Sequence, residues 1–210
     1  VRPSGKQGPV ATQLSSFARY QRQEAWTWEH LALTRARAVA GSPDLAAEVE
    51  AVRAAVLAER GGDRPVRADV AEMRARIAAA REPRGAFDAK IGPGRLQDIE
   101  LCAQALALLT GAPARDVAGQ VRAGQAAGAL RADQAEGLLA AERLFWALQA
   151  AARLLSSAPL DLGAVGEGGL RLLLRETGMA DAAALRAGLD AAGARAAQIV
   201  TEVIGERDAG

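Results

Sequence analysis

From residue 14 onward, apolar residues recur every three or four positions in nearly every segment of this chain. This period is typical of amphipathic α-helices that bury one face. In residues 132–156 the apolar surface is wide, which predicts a helix at the centre of a bundle. Residues 1–13 differ, because their prolines and glycines predict a strand end, a turn and a short second strand. The expected fold is mainly α: a helical bundle with a small β remnant at the N-terminus.

One stretch interrupts the helical pattern, namely residues 87–100, which read FDAKIGPGRLQDIE. Alternation along an extended start would point Asp88 and Lys90 to one face. The glycines on either side of Pro93 would allow another group to approach the backbone closely. Asp98 and Glu100 fall in or beside the first turn of the next helix, where acids are favoured electrostatically. An ordinary loop before an N-capped helix explains the same residues, so this stretch alone does not decide a function.

A second informative stretch, residues 23–37, reads QEAWTWEHLALTRAR. Its two tryptophans predict a densely packed helix, with Thr27 as N-cap and a span of residues 28–40. In that helix Glu29 and Arg37 would share one side, and His30 would lie at the edge of the core.

Two arginines, Arg35 and Arg37, end this stretch and allow two interpretations. They are either a solvated face with cations near a helix C-terminus, or a pair of guanidinium groups aimed at a phosphate.

Composition excludes several kinds of site. The single cysteine, Cys102, cannot form an intramolecular disulfide and is expected to be a buried thiol, and the single histidine cannot build a multi-histidine metal site. The net charge of +1 gives no general attraction for nucleic acid. Since no apolar run reaches membrane-spanning length and no signal peptide is visible, we expect a soluble, cytoplasmic protein without a membrane partner. The opening residues, VRPSG, suggest a piece of a longer protein.

Three blocks of sequence together resemble a known family. They are residues 2–5 (RPSG), residues 23–37, and residues 87–90 (FDAK) with 98–100 (DIE). In order and spacing they are similar to the bacterial bifunctional glutamine synthetase adenylyltransferase/adenylyl-removing enzyme, strongly over residues 1–110 and weakly beyond. The residues of the second and third blocks resemble those of the C-terminal, adenylylating half.

The resemblance implies an activity and a domain order. Each half of such an enzyme is a polymerase-beta-type nucleotidyltransferase domain followed by a helical domain. The adenylylating half transfers AMP from ATP to a tyrosine of glutamine synthetase and so regulates nitrogen assimilation, with a PII-type signal protein as a further partner. On this basis residues 1–41 would be the tail of the nucleotidyltransferase domain, residues 42–110 linking helices with the Gly-rich loop, and residues 111–210 a C-terminal helical bundle.

The resemblance also implies which residues serve the nucleotide. The three carboxylates that hold Mg²⁺ would all lie upstream of Val1, so this chain would contain no catalytic residue and no metal ligand and would be inactive alone. The cations near the triphosphate or pyrophosphate of ATP would be Arg35, Arg37 and Lys90. The acids that orient them, or reach the metal region through water, would be Asp88, Asp98 and Glu100, and Glu29 would pair with an arginine.

Two departures from the family pattern and one alternative remain. Arg95 replaces a glycine of the loop, which puts close ligand approach there in doubt, and Leu101 replaces a phenylalanine. The alternative function is a non-catalytic helical module that docks glutamine synthetase or a PII-type signal protein. Exposed apolar patches on helices within residues 130–156 or 170–205 would favour that alternative.

Overall fold

The computed structural model describes residue 8 and residues 10–60 and 64–205 of the chain. Nine helices form over these residues, and most of their limits agree with the apolar periodicity. They are α1 (Leu14–Gln23), α2 (Thr27–Thr34), α3 (Pro43–Arg60), α4 (Arg64–Ala80), α5 (Leu96–Thr110), α6 (Val117–Ala126), α7 (Ala132–Leu155), α8 (Gly166–Thr177) and α9 (Ala182–Ile204). The predicted mainly helical fold is therefore confirmed.

The predicted β remnant is not confirmed. Most of residues 1–13 lie outside the described part of the chain, and residues 10–13, which are described, contain no strand. α9 continues without interruption through Gly188 to Ile204.

The chain divides into two compact units, and the helices α4 and α5 each contribute residues to both. The first unit contains the described residues up to 71 together with residues 103–130. The second contains residues 72–102 and 131–205. Residues 42–110, predicted as one linking segment, thus contribute to both units. The three-part division of the chain remains a prediction.

In the first unit, α3 packs against both α1 and α2. Its core is aliphatic and includes Leu31, Leu33, Val56, Leu57, Leu106 and Leu108. α6 comes very close to α5, because a Cβ added to Gly124 would lie 2.8 Å from Leu106 Cδ2. A larger residue at position 124 would therefore force the Leu106 side chain to move.

In the second unit, α7 packs against α8 and α9, and α8 also contacts α9. One face of α7 supplies buried core residues, among them Leu138, Ala141, Phe145 and Leu148. The predicted central role of this helix is thus confirmed within its unit. Cys102 is fully buried and is not in a disulfide, as expected.

Candidate functional site

The helix that carries the tryptophan motif is shorter than predicted. α2 begins one residue earlier than expected, with Trp26 rather than Thr27 as N-cap, and it ends at Thr34 instead of residue 40. The amides of Arg35 and Ala36 make only short-range bonds, to the carbonyls of Ala32 and Leu33. These bonds tighten the last turn and end the helix.

A buried arginine explains why α2 stops there. The side chain of Arg53, on α3, is 1% exposed. Its Nε donates to the carbonyl of Leu33 at 2.9 Å, and one terminal nitrogen donates to the carbonyls of Thr34 and, at 3.0 Å, Pro113. Its other terminal nitrogen is 2.8 Å from a Glu50 oxygen. Arg53 therefore takes the carbonyls that a continuing helix would have used.

A second guanidinium holds the residues just beyond the helix. Arg115 Nε donates to the carbonyl of Ala36 at 2.9 Å, and its terminal nitrogen pairs with Glu50. Glu50 is thus shared by Arg53 and Arg115. The turn that presents Arg35 and Arg37 is fixed through its backbone, while both of these side chains are exposed. Fixed backbone with exposed cations is an arrangement that suits an external anion.

Among the described residues, the partners of Glu29 do not include the predicted arginine. Its carboxylate is buried and accepts from the Tyr20 hydroxyl at 2.9 and 3.0 Å and from the Trp26 amide at 3.2 Å. Because α2 ends before Arg37, the predicted shared row of Glu29 and Arg37 is also wrong. His30 is buried, and its Nε2 donates to the carbonyl of Gln21 at 2.8 Å. These groups brace α1 against α2.

The tryptophans of the motif are exposed, contrary to the dense packing expected for them. Trp26 is 72% exposed, and Trp28 is also exposed. The buried apolar side chains of α2 are instead Leu31 and Leu33.

The segment between α4 and α5, residues 81–95, is called here the Gly-Pro-Gly loop. Asp88 organises its first part, because one carboxylate oxygen accepts from the amides of Lys90 and Ile91 at 2.9 and 3.0 Å and the other accepts from the Arg84 amide at 2.9 Å. The Asp88 side chain is only 5% exposed, whereas Lys90 is exposed. The two side chains therefore do not share a face, because the backbone turns between them rather than extending.

The pKa of Asp88 reflects these contacts. Burial alone would raise it, but the amide hydrogen bonds from Arg84, Ile91 and Lys90, together with the Arg84 guanidinium, hold the pKa below its ordinary value of 3.8.

We expect Asp88→Asn to lower the free energy of unfolding by about 1–2 kcal/mol at neutral pH, because a side-chain amide NH₂ cannot accept from the Arg84 amide. The carboxylate's contribution is complete above the unfolded pKa of 3.8 and is lost as the pH falls through the lower folded value. The difference between the two proteins, measured by urea denaturation, should therefore shrink below pH 3.8. Asp161→Asn, at an exposed residue that accepts from one amide, is the control. If the difference in free energy of unfolding between Asp88→Asn and the unmodified chain grew as the pH fell, the proposed stabilising role of the Asp88 carboxylate would be wrong.

Asp98 does pair with a cation, but with one that the sequence analysis did not single out. Its two oxygens accept from Arg74 Nε and Nη2 at 2.6 and 2.9 Å, and one of them also accepts from the Gly94 amide at 2.7 Å. Arg74 reaches further, to the hydroxyl of Thr201 on α9 at 3.0 Å. This bidentate pair ties α4, the Gly-Pro-Gly loop and α9 together within the second unit.

The second half of the Gly-Pro-Gly loop packs on α9 rather than presenting an open backbone. A Cβ added to Gly94, where φ is +66°, would overlap the carbonyl oxygen of Gly193 and lie 2.6 Å from the amide nitrogen of Ala197. The close approach inferred from this glycine is therefore to a helix of the same unit.

Arg95 also has an internal role. Its guanidinium lies 4.8 Å from the centroid of the Phe145 ring, on α7, and its NH1 and NH2 groups approach the Leu189 carbonyl at 3.4 Å and Asp190 at 3.6 Å. Burial lowers the pKa of Arg95, an effect that Asp190 and Asp88 oppose. The arginine that replaces the family's glycine thus stacks on the bundle.

The predicted site residues fall in both units. Arg35, Arg37 and Glu29 belong to the first unit, and the loop residues Lys90 and Asp98 belong to the second. Glu100, in the second unit, is partly buried. The convergence of the three cations on one phosphate remains a prediction.

Sequence reasoning missed Arg53, Arg74 and Arg115, all of which hold site segments in place. A signal for Arg53 was present, since it lies in an apolar row with Val49, Val56 and Leu57. An arginine in such a row has to find internal acceptors.

The described residues contain no cluster of three or more His, Cys, Asp or Glu side chains arranged to hold a metal. Among the same residues, no helix combines the length and the apolar character needed to cross a membrane.

Comparison with known proteins places the chain in a family. A family model described as glutamate-ammonia ligase adenylyltransferase matches residues 1–52. A bifunctional glutamine synthetase adenylyltransferase/adenylyl-removing enzyme of Rhizobium meliloti is 53% identical over 117 residues, which are 56% of this chain and 12% of that protein. Proteins of the same description from two strains of Rhodopseudomonas palustris cover nearly all of the chain. One is 36% identical over 215 residues (100% of this chain, 22% of that protein), and the other is 39% identical over 210 residues (98% and 21%).

The chain thus spans about a fifth of the length of the relatives that match it throughout. Identity of this level along the whole chain shows that the chain belongs to the family of bifunctional glutamine synthetase adenylyltransferase/adenylyl-removing enzymes, of which it corresponds to a part.

Proposed function

We propose that this chain is part of an enzyme that transfers AMP from ATP to a tyrosine of glutamine synthetase and so regulates nitrogen assimilation. The observation that carries the proposal is the similarity, along nearly all of this chain, to relatives named for this activity. The chain's own part in the reaction would be to hold cations near the phosphates, since phosphoryl-type transfer depends on positioning and charge neutralisation.

The turn after α2 supports that role. Its two arginines are exposed, while the backbone between them and the end of α2 is bound by Arg53 and Arg115. Such a turn presents guanidinium groups with little freedom in the backbone, and a pre-organised cation stabilises developing negative charge better than a mobile one. Lys90 is a further candidate, because it is exposed on a loop whose shape is set by Asp88.

The described acids do not fit a magnesium site. Both carboxylate oxygens of Asp88 accept hydrogen bonds from backbone amides, and those of Asp98 accept from Arg74 and the Gly94 amide. The family resemblance implies that the carboxylates that would hold Mg²⁺ in the whole enzyme lie upstream of Val1. The acids act instead by fixing the loop that carries Lys90.

In the full-length enzyme, we expect Arg37→Ala and Lys90→Ala each to reduce the adenylylation rate at least about tenfold, which corresponds to roughly 1.4 kcal/mol of lost transition-state stabilisation. The measurement is the initial rate of AMP incorporation into glutamine synthetase. Arg76→Ala is the matched control, because Arg76 is exposed and pairs only with Glu72 four residues earlier on α4 among the described contacts. If both site variants stay within about twofold of the unmodified enzyme, the phosphate role is wrong.

A second candidate function, a docking module for glutamine synthetase or a PII-type signal protein, is favoured by one observation. α7 exposes two large apolar side chains, with Trp146 48% and Leu154 80% exposed. Exposed apolar surface on this helix is the feature that the docking alternative predicts. A module of this kind would capture glutamine synthetase in a pull-down with the purified chain alone.

A further inference from the structure

Arg37 directly follows the last hydrogen-bonded residue of the turn after α2. The amide of Ala36 bonds to the Leu33 carbonyl at 3.1 Å, and the Ala36 carbonyl accepts from Arg115 Nε at 2.9 Å. Beyond it, residues 37–41 are exposed, and within the described part of the chain they make no hydrogen bond. The carbonyl of Ala36 and the amide nitrogen of Arg37 belong to one planar peptide unit. Arg115 therefore holds the unit from which the Arg37 side chain is carried.

Glu50 fixes the direction of the Arg115 guanidinium. One Glu50 oxygen accepts from a terminal nitrogen of Arg115, and the other pairs with a terminal nitrogen of Arg53 at 2.8 Å. These residues belong to the first unit, as does Arg37. The donors of a guanidinium lie in one rigid plane, so an edge bound to a carboxylate sets where the remaining N–H points. The contacts from Arg53 through Glu50 to Arg115 thus relate the Ala36 carbonyl to a buried, fixed side chain.

Arg115 differs from Arg53 in what its loss would do to the fold. The Arg53 side chain is 1% exposed and binds three carbonyls, whereas the Arg115 side chain is 40% exposed and binds one. Exposed ion pairs contribute little to stability, because water solvates the separated charges well. Removing the Arg115 guanidinium should therefore free the turn while leaving the fold intact.

We propose that Arg115 is a positioning residue for adenylyl transfer, which acts by holding the peptide unit that precedes the Arg37 side chain. Arg37 makes no ion pair or hydrogen bond with a described residue, so its guanidinium is available to an external phosphate. A cation stabilises developing negative charge best when its position is set before the reaction. This inference rests on the proposed phosphate role of Arg37 and adds Arg115 to the residues on which that role depends.

The test is steady-state adenylylation of glutamine synthetase by the full-length enzyme carrying Arg115→Met. Methionine keeps a flexible, unbranched side chain but has no N–H donor. We expect kcat to fall at least about fivefold and KM for ATP to change less than about twofold, because a misplaced cation loses interactions that form mainly in the transition state. The melting temperature of the enzyme should stay within about 3 °C. Arg122→Met, at an exposed arginine of α6 in the same unit, is the matched control and should leave both kcat and the melting temperature unchanged.

Two further variants separate positioning from an independent effect of Arg115. If Arg115 acts through Arg37, the double variant Arg37→Ala/Arg115→Met should have a kcat within about twofold of Arg37→Ala alone, because the loosened turn no longer carries the cation. Arg115→Lys should recover only part of kcat, since one ammonium group cannot reproduce the fork that joins the Ala36 carbonyl to Glu50.

Three results would overturn the proposal: a kcat for Arg115→Met equal to that of Arg122→Met, losses that multiply in the double variant, or full recovery with lysine, which would mean that charge alone suffices. If Arg115→Met has no effect while Arg37→Ala slows the reaction at least about tenfold, only the positioning role is wrong. If Arg37→Ala itself stays within about twofold, the proposed phosphate role is wrong, and the positioning role fails with it.

Discussion

Gly94→Ala is expected to lower the free energy of unfolding by about 4 kcal/mol or more. The new methyl group would overlap the backbone of α9 at Gly193 and Ala197, where the atoms belong to a helix and cannot rotate away. The Gly-Pro-Gly loop would have to move off α9, which would also stretch the bond from the Gly94 amide to Asp98. The measurement is urea denaturation followed by circular dichroism.

Gly178→Ala is the matched control for this substitution. Gly178 ends α8 in the same unit with φ of +68°, nearly the value at Gly94, and a Cβ there would meet no atom within 4 Å. The control isolates the cost of the left-handed backbone, about 1 kcal/mol. If Gly94→Ala and Gly178→Ala lower the free energy of unfolding by the same amount, the contact between the loop and α9 is not what requires glycine at position 94.

Arg53→Met should destabilise the chain by about 3–5 kcal/mol. Methionine keeps much of the buried volume but has no donor. The carbonyls of Leu33, Thr34 and Pro113 would each lose the guanidinium that they accept from. Arg53→Lys should recover only part of the loss, since one ammonium group cannot reproduce the planar fork of donors. Thermal and urea unfolding both measure the effect.

Arg22→Met provides the comparison within the same unit. Arg22 is exposed, and its described ion pair with Glu59 at 3.1 Å is solvated, so its loss should cost no more than about 1 kcal/mol. If Arg53→Met lowers the free energy of unfolding as little as Arg22→Met does, water replaces the guanidinium at the end of α2. The turn that bears Arg37 would then not depend on Arg53.

The limits of most helices could be predicted from the sequence because local features set them. α3 begins at Pro43, α8 ends at Gly178, and α9 begins after Asp181, whose side chain accepts from the Ala184 amide at 2.7 Å. Proline, glycine and short polar side chains act on their nearest neighbours, so their effect is visible in the order of residues.

The errors have a common physical cause, namely partners that are distant in the sequence. The residues after Thr34 have good helical composition, yet α2 ends because Arg53 binds its last carbonyls. The partner of Arg95, the Phe145 ring, also lies far away in the sequence, fifty residues later. The two tryptophans predict a densely packed helix, but Trp28 is exposed, because the apolar pattern of eight residues does not determine which side of so short a helix faces inward.

The three carbonyl contacts of Arg53 also set an order of events during synthesis. Leu33 and Thr34 emerge first, Arg53 follows, and Pro113 becomes available only after the ribosome has translated residues 72–102, which belong to the other unit. The described part of the first unit is therefore interrupted during synthesis by a segment of the second, and one guanidinium donor of Arg53 lacks its carbonyl acceptor until Pro113 has been translated.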